Sequence, residues 1–231
     1  ENWITDDNSA LEMTPHLDTT KSVFVRRKSD GAFLGSMVWT EEADGIATIA
    51  FLLMSPNARG LGIGVEMFLR GFARIPKDFT CVLRSVPSMV SKYLAWAPHV
   101  GGRMWKYERL TPEMIGKVCT TLCPAHSSFS ASADLTSEDI DKLLLLDRAV
   151  SGRDRSAYMR RFIAYRGSET AVVKDAAGAV VAYGSVCETS FAHRHYYKIA
   201  PLYSAHDGHT AAILRSLVER IERRCATPLF F

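Results

Sequence analysis

A glycine-rich run set between an apolar strand pattern and a helical one constrains this chain more than any other feature. Arg59-Gly60-Leu61-Gly62-Ile63-Gly64 follows Ile46-Ala47-Thr48-Ile49-Ala50-Phe51-Leu52-Leu53-Met54, an apolar and partly β-branched stretch bounded by Gly45 and Pro56. That stretch reads as a buried strand. Val65 to Arg74 then carries apolar residues at helical spacing. A strand that feeds a glycine loop and opens a helix is a device for holding an anion. No Cβ crowds the loop's N–H groups, and the first helical turn has donors without intrahelical acceptors. The positive end of the helix dipole adds to the attraction. The competing reading is a glycine-softened turn with no ligand.

The spacing separates the phosphate motifs. A Walker loop ends in Gly-Lys-Ser/Thr, whereas Gly64 is followed by Val65 and Glu66. A dinucleotide fingerprint begun at Gly60 or Gly62 needs a third small residue where Val65 or Met67 stands. The pattern R-x-x-G-x-G fits, with Arg59, Gly62 and Gly64 in register. Here the chain resembles the GNAT superfamily of acyl-CoA acyltransferases, whose strand–loop–helix cradles the pyrophosphate of coenzyme A. The resemblance implies that Leu53, Met54, Arg59, Gly60, Leu61, Gly62, Ile63 and Gly64 hold acetyl-CoA as cosubstrate, with an amine as the other partner.

The remaining text supports that fold class. Ser22 to Arg27 and Phe33 to Thr40 read as strands joined across Asp30-Gly31, a strong hairpin signal. With the strand from Ile46 they form three consecutive antiparallel strands, which counts against a Rossmann domain and its crossover helices. Phe79 to Arg84 reads as a further strand, parallel to Ile46–Met54. In GNAT folds these two strands splay apart and admit the pantetheine arm. A helix from about Pro87 to Trp96 and a strand near Gly101 to Arg109 close this half. The expected class is α/β (α+β), a mixed and mostly antiparallel sheet flanked by helices.

A linker is expected over 111–130, where Pro112, Gly116, Pro124 and a Ser/Thr-rich tail cluster. After it, Thr136-Ser137-Glu138-Asp139 is a capping-box-like helix start. Arg153 to Ile163 reads as a second helix. Thr170–Lys174 and Ala179–Cys187 form a strand pair across Gly178, and His195–Ile199 reads as a third strand. Thr210 to Arg223 is a helix with Ile213, Leu214, Leu217, Val218 and Ile221 as its stripe.

The second half therefore reads as a degenerate copy of the first. Gly35-Ser36-Met37-Val38 has a counterpart in Gly184-Ser185-Val186-Cys187, and Met67–Arg70 in Ala212–Arg215. Projected backward, Arg59 meets Ser204, Gly62 meets Asp207 and Gly64 meets His209, so the second loop lacks the phosphate pattern. An acidic Asp207 suits a pyrophosphate poorly. The arrangement is similar to tandem GNAT proteins with one intact and one divergent module. Domains are expected at 1–110 and 131–231. The opening strand and helix of the first module are expected to be missing or abbreviated, and the second module to stop short after Pro228-Leu229-Phe230-Phe231.

Composition excludes several other classes. Of 231 residues 47% are apolar and 23% charged, enough for a globular core. A net charge of +3 without a Lys/Arg block argues against nucleic acid. No apolar run approaches the roughly 20 residues of a membrane span. Five cysteines, with Cys119-x3-Cys123 the only close pair, argue against zinc and for reduced thiols. With no signal-peptide pattern in the opening residues, the expectation is a cytoplasmic protein without a metal.

The acid and base are harder to place. Direct attack of an amine on a thioester needs both substrates positioned, a proton accepted from the ammonium and the leaving thiolate protonated. The family's usual carboxylate on the central strands has no counterpart, because Ile46–Met54 contains none. Glu41 and Glu42 are the nearest acidic residues, and a solvated turn is their alternative. The family's thiol-protonating tyrosine falls at Ala97, which leaves Tyr93, one turn earlier, as the candidate acid, with His99 second. A core tyrosine is the competing account. In the second half, His193, His195 and Tyr197 alternate onto one strand face and are candidate substrate contacts. The implied function is N-acetyl transfer from acetyl-CoA to the amine of a small molecule. The alternative is a non-catalytic acyl-CoA-binding or regulatory protein.

Overall fold

A computed structural model describes residues 8–83, 85–95, 108–123, 131, 133–189 and 195–231. Along the chain its elements are α1 (Asn8–Glu12), β1 (Thr20–Arg26), β2 (Phe33–Glu41), β3 (Ile46–Met54), α2 (Ile63–Phe72), β4 (Thr80–Leu83), α3 (Pro87–Leu94) and α4 (Pro112–Leu122). There follow α5 (Ser137–Ser151), α6 (Ser156–Ile163), β5 (Ser168–Lys174), β6 (Val180–Glu188), β7 (Tyr196–Tyr203), α7 (Asp207–Glu222) and β8 (Leu229–Phe230). They form two units. The first is His16–Trp105, and the second joins Glu1–Pro15 to Lys106–Phe231.

The first unit is a sheet in the order β1-β2-β3-β4. Its first three strands are antiparallel neighbours, and β4 runs parallel to β3. The Asp-Gly turn closes the opening hairpin. Gly31 takes a φ of 70°, and the Asp30 carboxylate accepts from the Ala32 N–H at 3.1 Å. From β2 and β3, Met37, Trp39, Ala47 and Ile49 face α2 and meet its Met67 and Phe68. Each such large side chain contributes about 1.5–3 kcal/mol relative to exposure. Gly71 permits this approach, since a Cβ there would collide with the Met37 sulfur.

The second unit repeats the pattern in the order β5-β6-β7-β8, antiparallel except for the last pair. Its sheet is covered on both faces. Alternate residues of β5 serve two clusters: Val172 packs with Leu143, Met159 and Phe162, while Ala171 and Val173 pack with Ile213, Leu217 and Ile221. The expected stripe of α7 is buried throughout. The capping box at α5 is formed, Thr136 accepting from the Asp139 N–H and Asp139 from the Thr136 N–H, each at 3.1 Å. Asp147 is buried and accepts from Arg155 Nε at 2.8 Å, from its Nη2 at 2.6 Å and from the Tyr183 hydroxyl. Burial raises the Tyr183 pKa, and the Asp147 carboxylate raises that of Arg155. The cluster pins the α5–α6 corner to β6.

Two elements fall across the expected boundaries. Pro112–Leu122 is a helix, α4, where the linker composition predicts irregular chain. Pro112 stands at the first helical position, where its missing N–H costs nothing, and Thr111 caps the helix by accepting from Met114 N–H at 3.2 Å. Ile115 and Cys119 are then buried against α7. The opening helix α1, with Met13 behind it, packs with the core of the second unit. Residues 101–107 of the strand expected near Gly101 to Arg109, together with Trp96, Ala97 and His99, lie outside the described residues.

Asp139 yields a pH prediction. Its hydrogen bonds from Lys174 and the Thr136 N–H hold its pKa at about 2, below the ordinary 3.8. A folded-state pKa that is depressed adds stability above the unfolded value, and this is lost as pH falls toward the folded one. Asp139→Asn should therefore be less stable than wild type at pH 7, with the difference shrinking between pH 4 and 2. Urea unfolding midpoints at the two ends of that range check it.

Candidate functional site

β3 is paired on both sides only along its first half. Among the described residues the rungs to β4 run from Ile46↔Thr80 to Ile49↔Leu83. β3 continues to Met54, past the last described rung, whereas Ser85 and Val86 are no longer strand, which leaves a notch between the two parallel strands. At the mouth of the notch β3 carries a bulge. Val38 pairs with Ala50 and Ser36 with Leu53, so Phe51 and Leu52 together face one residue of β2. Phe51 takes a φ of 46°, the left-handed region that a non-glycine residue seldom occupies. Nothing in the sequence marks this bulge, because Phe51 and Leu52 read as two more apolar strand residues.

The loop behind the notch is built for close approach. Pro56–Ala58 makes one 3-10 turn, and Arg59 Nε donates to the Met54 carbonyl at 3.2 Å, tying the loop's base to the strand end. Gly60 and Gly62 have φ of 77° and 76°. Gly62 is the N-cap of α2. Its carbonyl accepts from Val65 at 3.1 Å and Glu66 at 3.2 Å, and no side chain caps the helix. A Cβ at Gly62 would meet nothing within 4 Å, so the space before the helix is open. A pyrophosphate fits this arrangement: glycine backbone, an uncapped helix end and room in front of it. The sequence-predicted residues from Leu53 to Gly64 thus converge on one strand end, one loop and one helix start.

The second unit has the same frame and closes this end. Gly184 pairs with Leu202 and Val186 with Ile199, so its bulge falls at Ala200 and Pro201. This register places Ser36 with Gly184, one residue away from the alignment read from sequence. Residues 55–62 separate β3 from α2, whereas only 204–206 separate β7 from α7. The second loop is therefore too short to be projected residue for residue onto Arg59–Gly64. His206 caps α7, its Nδ1 accepting from the Gly208 N–H at 3.0 Å, and Asp207 stands in the first turn. The His206 and His209 rings lie 5.0 Å apart, and burial, with His206 beside it, lowers the His209 pKa. A protein acceptor already fills the place an anion would take.

The candidate acids and bases are distributed as follows. Tyr93 is half-buried on α3 with its ring 6.3 Å from that of Phe68, and burial raises its pKa. Glu41 closes β2 and accepts from the buried Trp39 indole N–H at 2.8 Å. His193 lies outside the described residues. His195 precedes β7 with a φ of 58°, so the strand alternation expected through it begins only at Tyr196. Tyr197 is buried with its ring against Phe230. No group of three His, Cys, Asp or Glu side chains among the described residues could hold a metal, and none of the five cysteines forms a disulfide. No described helix is long and apolar enough to cross a membrane.

With this geometry in place, the chain can be set beside known proteins. Residues 143–227 match the family model of the acetyltransferase (GNAT) domain. A tandem GNAT protein from the clavulanic acid biosynthesis pathway superposes with a TM-score of 0.62 at 20% identity, over 92% of this chain and 74% of that one. A GCN5-related N-acetyltransferase from Sphaerobacter thermophilus gives 0.58 at 13% identity, over 96% and 75%. Residues 143–227 are thus similar to the GNAT domain in sequence, and the chain has the fold of a tandem GNAT protein, two modules of one pattern in a single polypeptide. A curated relative, an uncharacterised protein of Caenorhabditis elegans, is 32% identical over 206 residues. The match takes in 88% of this chain and 64% of the relative's length.

Gly62→Asp places a carboxylate where the anion would lie, and should weaken coenzyme A binding at least about tenfold. Gly62→Ala carries similar backbone strain without the charge, in open space, and should lose less. Calorimetric titration of both variants with coenzyme A measures the difference.

Proposed function

We propose that the chain is an acyl-CoA-dependent N-acyltransferase that moves an acetyl group from acetyl-CoA to the amine of a small molecule. The first unit holds the cosubstrate in this reading. The observation that carries it is the Gly62-capped start of α2 directly behind the notch between β3 and β4. The phosphates lie against the N–H groups of the loop and first helical turn, with Arg59 adding positive charge beside them. The acyl-bearing arm runs along the β4-facing edge at the end of β3.

The chemistry asked of the residues is modest. The amine nitrogen bonds to the thioester carbonyl carbon and gives up a proton. The carbon–sulfur bond then breaks, and sulfur leaves with the electron pair and takes a proton. Tyr93 is the proposed donor to sulfur. A phenol is protonated at neutral pH, the state a general acid needs, and burial raises its pKa further. Glu41 is the proposed acceptor, steered by the Trp39 indole. A second reading, a non-catalytic acyl-CoA binder, is favoured by the absence of any carboxylate on β3. The place of action proposed is the cytoplasm.

Thiol release from acetyl-CoA with a panel of small amines divides the two readings. Turnover with any amine, lost in Tyr93→Phe, supports the enzyme. Tight coenzyme A binding without turnover on any amine supports the binder. Titration should also give one coenzyme A per chain, and two would contradict the assignment of the site to the first unit alone.

A further inference from the structure

We infer that the free edge of β1 receives an extended acidic segment of a partner protein, added as a further strand of the first unit's sheet. This goes beyond the acyl-transfer reading and does not depend on it. Among the described residues β1 ends the sheet order and pairs only with β2. The Glu41 N–H donates to the Thr19 carbonyl at 2.8 Å, so in the register that follows Lys21, Val23 and Val25 aim their backbone groups at β2. The N–H and C=O of Ser22 and Phe24 point the other way, off the edge of the sheet.

Beside that edge runs a groove of about 730 Å³. Val23, Phe24, Val25 and Arg26 all line it. Successive strand residues face opposite ways, so a wall made of all four is the edge of the strand and not one of its faces. Met67 and Arg70 of α2, with Arg74 just after it, form the facing wall. An unpaired strand edge opposite a helix is the setting in which an extended peptide adds to a sheet.

The side chains state the partner's chemistry. Val23 and Val25 pack with the core beneath α2, which leaves Phe24 on the opposite face of the sheet. There Phe24 is 60% exposed, and its ring lies 6.5 Å from that of Phe33, also exposed. The groove itself holds three guanidiniums, Arg26, Arg70 and Arg74, and one carboxylate, Glu66, which Arg70 engages at 2.6 Å. Arg26 donates to the Gly31 carbonyl at 3.3 Å, and neither it nor Arg74 has an ion pair among the described residues. A strand that alternates apolar and acidic residues meets both demands, its apolar side chains covering Phe24 and its carboxylates meeting the arginines. A second copy of this chain suits the edge poorly, because β1 laid against β1 gathers the Lys21 and Arg26 charges of both copies.

The probe is an octapeptide of alternating valine and glutamate, capped at both ends, added to the 15N-labelled chain. Amide exchange at Ser22 and Phe24 should slow about tenfold in the saturated complex, while Val23 and Val25, already bonded to β2, stay unchanged. That alternation separates an added strand from a peptide lying loosely in the groove. The same peptide with lysine in place of glutamate should protect nothing. Arg74→Glu should weaken binding of the glutamate peptide about tenfold. Phe24→Pro removes one outward N–H without touching the β2 ladder, so protection of Ser22 should be lost while Val23 keeps its own. Equal protection of successive residues, equal binding of the lysine peptide, or no binding of the glutamate peptide overturns the inference. Release of the bound peptide by coenzyme A also overturns it, since the groove then belongs to the cosubstrate. Failure of the chain to bind coenzyme A overturns the site and leaves this inference standing.

Discussion

The separation of β3 from β4 after Ile49 is the event on which the rest of the first unit depends. While two parallel strands stay paired, their N–H and C=O groups satisfy one another and nothing can enter between them. Beyond the last described rung at Leu83, the β4-facing groups at the end of β3 need other partners or a ligand. Several features answer that need. The bulge at Phe51 and Leu52 takes two residues out of the β2 ladder, Arg59 covers the Met54 carbonyl, and Gly62 turns the chain into α2 without a side-chain cap.

The second unit shows what the same frame becomes when that need is met internally. Its loop is shorter, the imidazole of His206 fills the helix cap, and a proline sits at the bulge. Its sheet is buried on both faces, and an Asp147–Arg155–Tyr183 cluster locks the helices of one face to it. Sequence likeness and site chemistry part company here. The GNAT family model matches 143–227, in the second unit, whereas the phosphate-loop pattern lies in the first. Family likeness follows the packed frame. Ligand chemistry follows a few loop residues that the frame tolerates in either form.

Much of this was legible in the sequence where local chemistry is strong. The Asp30-Gly31 hairpin, the Thr136 capping box, the α7 stripe and the Arg59–Gly64 loop each depend on neighbours a few residues apart, and each has a residue pattern of its own. The failures share a different cause. Pro112 and Gly116 read as breakers because tertiary burial of Ile115 and Cys119, not propensity, holds α4 together. The bulges escaped because an extra strand residue leaves no compositional trace, which also shifted the alignment of Ser36 by one position. His195 was assigned to a strand face because alternation cannot register a single residue of positive φ. A loop shortened between two similar elements was likewise invisible until both ends were seen.

The central claim is that one module of the pair holds coenzyme A and the other does not. Amide hydrogen exchange with and without coenzyme A tests it directly. The account predicts slower exchange across 52–66, the end of β3 through the first turn of α2, with exchange across 203–210 unchanged. Protection at 203–210 with none at 52–66 would contradict it.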